Sequence, residues 1–239
     1  MAKIKDMKIK LFLDGANLKD MQNAVDNNKL IKGFTTNPTL MAKAGIKDYK
    51  KFALEALKIV QDLPLCFEVF SDDIDGMYRQ AKIIDSWAKN AWIKIPITNT
   101  KGEPSYDLIR KLSYENIKLN ITAILPIEQV QKVKECLNPE VEAIVSVFAG
   151  RIADTGRDPI AHMKTCLEIL APLKKAYLLW ASPREVLNFY QANDVGCHII
   201  TMTQNLIDRL SLADKNLDEF SLETVKMFYD DSQKSGFAL

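Results

Sequence analysis

The sequence predicts an α/β protein folded as a single (β/α)8 barrel of the TIM type, with one additional helix at the C-terminal end. Three observations carry this expectation. Eight short segments rich in Ile, Val, Leu and Phe alternate with longer segments of helical period. The alternation fills a chain of 239 residues, close to the length that such a barrel needs. No Gly-rich phosphate fingerprint follows any of the apolar segments, which argues against an open dinucleotide-binding sheet. No linker, low-complexity segment or charge block divides the chain, so residues 1–239 read as one domain.

In chain order the expected strands are Ile9–Asp14, Gly33–Thr36, Leu65–Phe70, Trp92–Pro96, Lys118–Thr122, Ala143–Phe148, Ala176–Ala181 and His198–Met202. Each is a largely apolar run, as strands covered on both faces of a parallel sheet require. The expected helices lie near Leu18–Asn28, Ile46–Asp62, Asp73–Lys89, Ser105–Glu115, Ile127–Leu137, Pro159–Leu170, Arg184–Ala192 and Gln204–Leu210. Asp158-Pro159 and Ser182-Pro183 read as a capping side chain followed by proline at the first helical position. The final amphipathic stretch, Leu217–Ser232, is the additional helix.

Composition excludes several classes of function. With 32 Lys and Arg against 31 Asp and Glu the net charge is +1, so no global field recruits nucleic acid or an anionic membrane. Residues 1–10 are basic but lack the apolar stretch of a signal peptide, and nowhere do about 18 apolar residues run together. A soluble, cytoplasmic protein without nucleic-acid or membrane partners is the expectation. Cys66, Cys136, Cys166 and Cys197 are widely spaced, which suits free thiols in a reducing compartment and no zinc site. Only His162 and His198 are available as imidazole ligands, so no metal is expected, and no motif supports a nicotinamide or flavin site, so no organic cofactor is expected either.

Lys94 is the residue that asks for an explanation. It lies in Trp92-Ile93-Lys94-Ile95-Pro96-Ile97-Thr98, a run that otherwise reads as a buried strand. A buried amine without a partner tends to shed its proton, and a neutral amine is a nucleophile suited to Schiff-base formation with a carbonyl. In a barrel the chemistry gathers at the C-terminal ends of the strands, and those ends carry polar residues here. Successive strands offer Asp14, then Thr35-Thr36-Asn37-Pro38, Glu68, Lys94, Asn120 with Thr122, Ser146 with Phe148 and Arg151, Ser182 with Arg184, and finally Thr201 and Thr203. Singly, each has a plain structural reading as a cap, a turn or a surface ion pair. Jointly they surround one lysine with acids, amides and hydroxyls.

Leu11-Phe12-Leu13-Asp14-Gly15-Ala16-Asn17, Gly33-Phe34-Thr35-Thr36-Asn37-Pro38-Thr39-Leu40, Ile93-Lys94-Ile95-Pro96-Ile97-Thr98, Leu119-Asn120-Ile121-Thr122 and Val145-Ser146-Val147-Phe148-Ala149-Gly150-Arg151-Ile152 resemble, in order, the successive motifs of the transaldolases. The resemblance implies a (β/α)8 barrel with a Schiff-base lysine, Lys94, on the fourth strand. It further implies that Asp14 is the general base on the C4 hydroxyl, and that Glu68 and Thr122 activate the water used in carbinolamine chemistry. Asn37, Asn120 and Ser146 would bind the dihydroxyacetone part, while Arg151 and Arg184 would clamp the phosphate beside Phe148 and Ser182. Gly15, Val147 and Pro183 depart from the usual pattern of the motifs.

The fructose 6-phosphate aldolases form a sister group of similar length. They carry Gln and Tyr where this chain has Glu68 and Phe148, and the resemblance at both positions is to the transaldolases. A phenol could protonate the enamine and a phenyl ring cannot, so transfer of the three-carbon unit between sugar phosphates is expected over simple cleavage. Cleavage by an aldolase, or a catalytically silent sugar-phosphate binding protein, are the alternatives. Short relatives resemble ring-forming assemblies, which implies a homo-oligomer in which the last helix packs on a neighbour.

Overall fold

The computed structural model describes residues 4–237. Residues 1–3 and 238–239, which belong to the expected domain and in part to the basic N-terminal stretch, lie outside the described residues. Eight parallel strands close into a barrel in sequence order: β1 (Lys10–Asp14), β2 (Ile31–Thr35), β3 (Leu65–Glu68), β4 (Ala91–Pro96), β5 (Leu119–Ile124), β6 (Ala143–Val147), β7 (Ala176–Trp180) and β8 (Ile199–Thr203), with β8 pairing back onto β1. The strand count and order are those expected, and the bounds differ by one or two residues.

The helices are α1 (Leu18–Asn27), α2 (Pro38–Lys43), α3 (Tyr49–Val60), α4 (Ile74–Asp85), α5 (Tyr106–Tyr114), α6 (Ile127–Cys136), α7 (Ala149–Asp154), α8 (Pro159–Leu170), α9 (Leu187–Val195), α10 (Gln204–Asp208) and α11 (Leu217–Ser235). Side chains cap many of the starts: Asn17, Asn37, Asp48, Asp73 and Asp158 each accept backbone N–H groups of the first turn. Two short helices, α2 and α7, were not expected, being too brief to show a hydrophobic period. They follow β2 and β6 at once and hold residues at the barrel mouth. Ser182-Pro183 corrects another expectation. Asp158-Pro159 does start α8, but Ser182 takes φ +61° and α9 begins only at Leu187. That pair therefore belongs to a turn over the barrel mouth.

Alternation along each strand divides the apolar residues into two cores. Leu11, Leu13, Phe34, Phe67, Ile93, Ile95, Ile121, Val145, Leu178 and Trp180 pack outward under the helices. Phe12, Cys66, Trp92, Ile144, Leu179 and Ile199 form a separate cluster that also takes in Ala181, Tyr177 and Phe148. By the same alternation this second cluster fills the lumen. Gly33 is required by it, because a Cβ there would come within 2.5 Å of the Phe12 ring. Two residues further along these strands the lumen changes character, to Asp14, Glu68, Lys94, Ser146 and Thr201, and Asn120 of β5 joins them at that level beside Lys94. The apolar plug closes the barrel beneath them, so they face the C-terminal mouth.

Candidate active site

A cavity of about 550 Å³ opens at that mouth, lined by the eleven residues to which the resemblance gives roles: Asp14, Asn37, Glu68, Lys94, Asn120, Thr122, Ser146, Phe148, Arg151, Ser182 and Arg184; of the other strand-end hydroxyls, Thr36 and Thr203 do not line it. Such a cavity is large enough to take a small metabolite. Thr35, Leu179, Ala181 and Thr201 line it as well. Thr35 and Thr201 were visible as strand-end hydroxyls, but nothing in the sequence distinguished them from ordinary β-formers.

Lys94 is 7% exposed and has partners. Its Nζ lies 3.2 Å from Glu68 Oε2 and donates to the Thr36 carbonyl at 3.1 Å. β3 and β4 pair so that Glu68 stands opposite Lys94, and β5 places Asn120 on the other side. A charge taken out of water needs this kind of pairing. The backbone oxygen of Glu68 is itself anchored by the Tyr49 hydroxyl at 2.7 Å, and Tyr49 packs within the aromatic group of Phe67, Phe70 and Trp87.

Asp14 sits across the lumen. Burial pushes its pKa above the ordinary carboxylate value, opposed by the positive charge of Lys94 and by a hydrogen bond from Thr35. The Thr35 hydroxyl donates to Asp14 Oδ1 at 2.7 Å and also lies 2.5 Å from the Thr201 hydroxyl. Below them the Cys66 thiol is raised to about 11, chiefly by burial, so it is no nucleophile at neutral pH.

On the other wall Ser146 donates to Asn120 Oδ1 at 2.7 Å. Asn120 Nδ2 and Thr122 Oγ1 are buried with no hydrogen-bond partner among the described residues. Thr122 lies at a bulge: the β5–β6 register shifts between Ile121 and Ile124, and Ala123 adopts φ +62°. Left-handed backbone at a non-glycine residue is costly and collects at functional sites.

The rim is cationic. Arg151 stands on α7 with its guanidinium carbon 5.6 Å from the centre of the Phe148 ring. Arg184 grips Asp154, also on α7, through Nε at 3.0 Å and through Nη2. That edge of the guanidinium is committed to a protein carboxylate, while the N–H groups of Nη1 have no partner among the described residues. Gly150 makes the assembly possible: a Cβ there would fall 1.6 Å from the Ser182 carbonyl, and its N–H reaches the Ala181 carbonyl at 3.3 Å. Asn37 uses Oδ1 to cap α2 at Leu40 N. No group of three metal-ligating side chains is assembled among the described residues.

Similar architecture occurs in solved structures of low identity. One of KGPDC from Streptococcus mutans superposes with a TM-score of 0.54 at 12% identity, covering 82% of this chain and 88% of that one. A mandelate oxidase mutant gives 0.58 at 10% identity, covering 91% and 74%. These likenesses concern the barrel alone. Sequence comparison is more specific. The protein named "Probable transaldolase" of Thermoplasma volcanium is 35% identical over 208 residues, 84% of this chain and 87% of its own. "Probable transaldolase 2" of Listeria monocytogenes is 32% identical over 232 residues, 95% of this chain and all of its own. The family model described as Transaldolase/Fructose-6-phosphate aldolase matches residues 11–239. With that match spanning every barrel strand but the first residue of β1, the chain belongs to the transaldolase/fructose-6-phosphate aldolase family of enzymes.

Proposed function

We propose that this enzyme is a transaldolase, carrying a dihydroxyacetone unit from a ketose phosphate such as fructose 6-phosphate to an aldose phosphate such as erythrose 4-phosphate. The observation that carries the reading is the placement of one buried amine, Lys94, beside Glu68 in a cavity that Asp14 also lines. In its neutral form Lys94 attacks the C2 carbonyl to give a carbinolamine. Loss of water, with Glu68 and Thr122 managing the proton transfers, leaves an iminium ion. Asp14 takes the proton of the C4 hydroxyl as the C3–C4 bond breaks, and the electron pair moves into the iminium to form an enamine. Glyceraldehyde 3-phosphate departs. The enamine carbon then attacks the aldehyde of erythrose 4-phosphate, Asp14 returns its proton to the new oxygen, and hydrolysis releases sedoheptulose 7-phosphate.

Asn37, Asn120 and Ser146 suit the dihydroxyacetone hydroxyls, since each offers a polar group to the cavity. Arg151 suits the phosphate, as a planar cation with donors to spare. Arg184 contributes there through the donors that Asp154 leaves open, with Ser182 shaping the turn that carries it.

Phe148 favours transfer over cleavage, because a phenyl ring beside the enamine has no proton to give. The test is an assay of fructose 6-phosphate with and without erythrose 4-phosphate. Alone, the donor should yield about one equivalent of glyceraldehyde 3-phosphate per site and then stall. The acceptor should restart turnover. Phe148→Tyr should raise acceptor-independent release of dihydroxyacetone and lower transfer. Steady release by the unmodified enzyme at a rate similar to transfer would make it an aldolase.

The same reading includes self-association. α11 buries none of its residues, and Leu217, Leu222, Val225, Phe228 and Tyr229 are all more than half exposed. Apolar side chains in that number along one helix suit a protein surface, and a second copy of the chain would cover them. Light scattering should report a mass that is a multiple of 27.1 kDa, and a monomer mass would end this part of the reading.

A further inference from the structure

Asp14 is held by a chain of hydroxyls whose direction follows from chemistry when the carboxyl is ionised and can only accept. Thr35 has one hydroxyl proton, and it is directed at Asp14 Oδ1 over 2.7 Å. In the 2.5 Å contact between Thr35 and Thr201 either hydroxyl could donate, and with Asp14 ionised the donor is Thr201. Both threonines are buried, Thr35 at 2% and Thr201 at 7% exposure, and they come from β2 and β8, the two strands that flank β1. The order Thr201, Thr35, Asp14 thus runs across three neighbouring strands, each hydroxyl polarised by the one before it. Oδ1 is occupied by this chain, whereas no donor reaches Oδ2 among the described residues.

We propose that Thr35 and Thr201 are positioning residues that orient the Asp14 carboxylate, favour its ionised form and leave Oδ2 as the oxygen that exchanges protons with the substrate. The proposal rests on the reading of Asp14 as the general base. It adds that the function of this base depends on a residue of β8, two contacts away. The need for such support is evident in the surroundings of Asp14. Burial disfavours its charge, and Lys94 and the Thr35 hydrogen bond oppose that effect; Glu68, Arg151 and Arg184 are the other charged groups lining the cavity, and the Cys66 thiol beneath, raised to about 11, is neutral where a carboxylic acid titrates. Hydrogen bonds donated to a carboxylate are among the stronger ones. Among the described residues the Thr35 donation is also the one hydrogen bond that distinguishes Oδ1 from Oδ2.

The test is direct titration of Asp14 by carbon NMR of enzyme carrying aspartate labelled at the carboxyl carbon, the resonance being assigned by its loss in Asp14→Asn. Thr35→Val should move the midpoint upward by roughly one pH unit or more, as expected for loss of a hydrogen bond to a charged group. Thr201→Val should move it in the same direction by a smaller amount, and Thr201→Ser should return it to the parent value. The acid limb of kcat/KM should follow each midpoint. Thr201→Val replaces a single side chain by one of the same shape, so it serves even if Thr35→Val folds poorly. Unchanged midpoints in Thr201→Val, with or without a loss of activity, would reduce the two threonines to packing residues. Titration needs no substrate, so this outcome is independent of the transfer assay, whose failure in the parent enzyme would instead remove the role given to Asp14.

Discussion

Glu68 Oε2 lies 3.2 Å from Lys94 Nζ, across two strands whose register sets the residues side by side. The carboxylate makes a buried ammonium tolerable and is also placed to accept its proton. Lys94→Met should therefore abolish turnover; Met fills the same volume with apolar atoms, but the variant leaves Glu68 without its partner and should be folded yet less stable than the parent. Borohydride with fructose 6-phosphate should attach a reduced three-carbon fragment at Lys94 of the parent and none in the variant. Glu68→Gln keeps the shape but removes the charge, and should slow trapping in a single turnover. Equal trapping rates would show that Glu68 takes no part in forming the adduct. Glu68→Ala should in addition cost about 3–5 kcal/mol of stability, as expected when one partner of a buried pair is removed.

Asp14 should show the opposite relation between activity and stability. A carboxylic acid whose folded pKa lies above its unfolded value binds its proton more tightly in the folded state. Between the two values stability falls as pH rises, and above the folded value the full cost of the buried carboxylate is present. Asp14→Asn, which keeps an acceptor for Thr35 and carries no charge, should consequently raise Tm at pH 7 and lose that advantage below the ordinary carboxylate range. The same variant should be inactive in C–C cleavage yet still form a borohydride-trappable adduct. A lower Tm at pH 7 would mean that attraction to Lys94 outweighs burial.

Arg151 and Arg184 should differ in their response to mutation. Arg151 has no ion pair among the described residues, so Arg151→Ala should lower kcat/KM for phosphorylated sugars on the order of tenfold to a hundredfold, given about 1.5–3 kcal/mol for a charge-assisted contact. Unphosphorylated analogues should be nearly indifferent. Arg184 is tied to Asp154, and Asp154→Ala should weaken phosphate recognition in the same substrate-selective way, though less. Gly150→Ala should damage both arginines together, because any Cβ there meets the Ser182 carbonyl. An equal loss on phosphorylated and unphosphorylated substrates would make Arg151 structural.

The four cysteines are all buried and unpaired. Burial raises the thiols of Cys166 and Cys197 to about 12 and that of Cys66 to about 11. The native enzyme at pH 8 should therefore react slowly or not at all with a disulfide reagent such as Ellman's, and release four equivalents only after denaturation. A thiol that reacts within seconds in the native state would place one of these residues at a surface that opens.

Much of this protein was legible from residue order because each feature is local. The eight apolar runs revealed the barrel, since strands covered on both faces need continuous apolar sequence. Asp14, Glu68, Lys94, Asn120 and Ser146 stood out because polar residues at the ends of such runs are unusual. Three features required the folded chain. Helices α2 and α7 are too short to have a period, and they form because Asn37 caps one and Gly150 lets the other press on the Ser182 turn. The pairing of Arg184 with Asp154 joins residues thirty positions apart, and no spacing rule predicts it. The hydroxyl chain from Thr201 through Thr35 to Asp14 exists because barrel closure makes the last strand a neighbour of the first. Sequence determined which residues face the mouth of the barrel; only closure decided which of them touch, because hydrogen bonds are specified in ångströms and a sequence specifies positions along a chain.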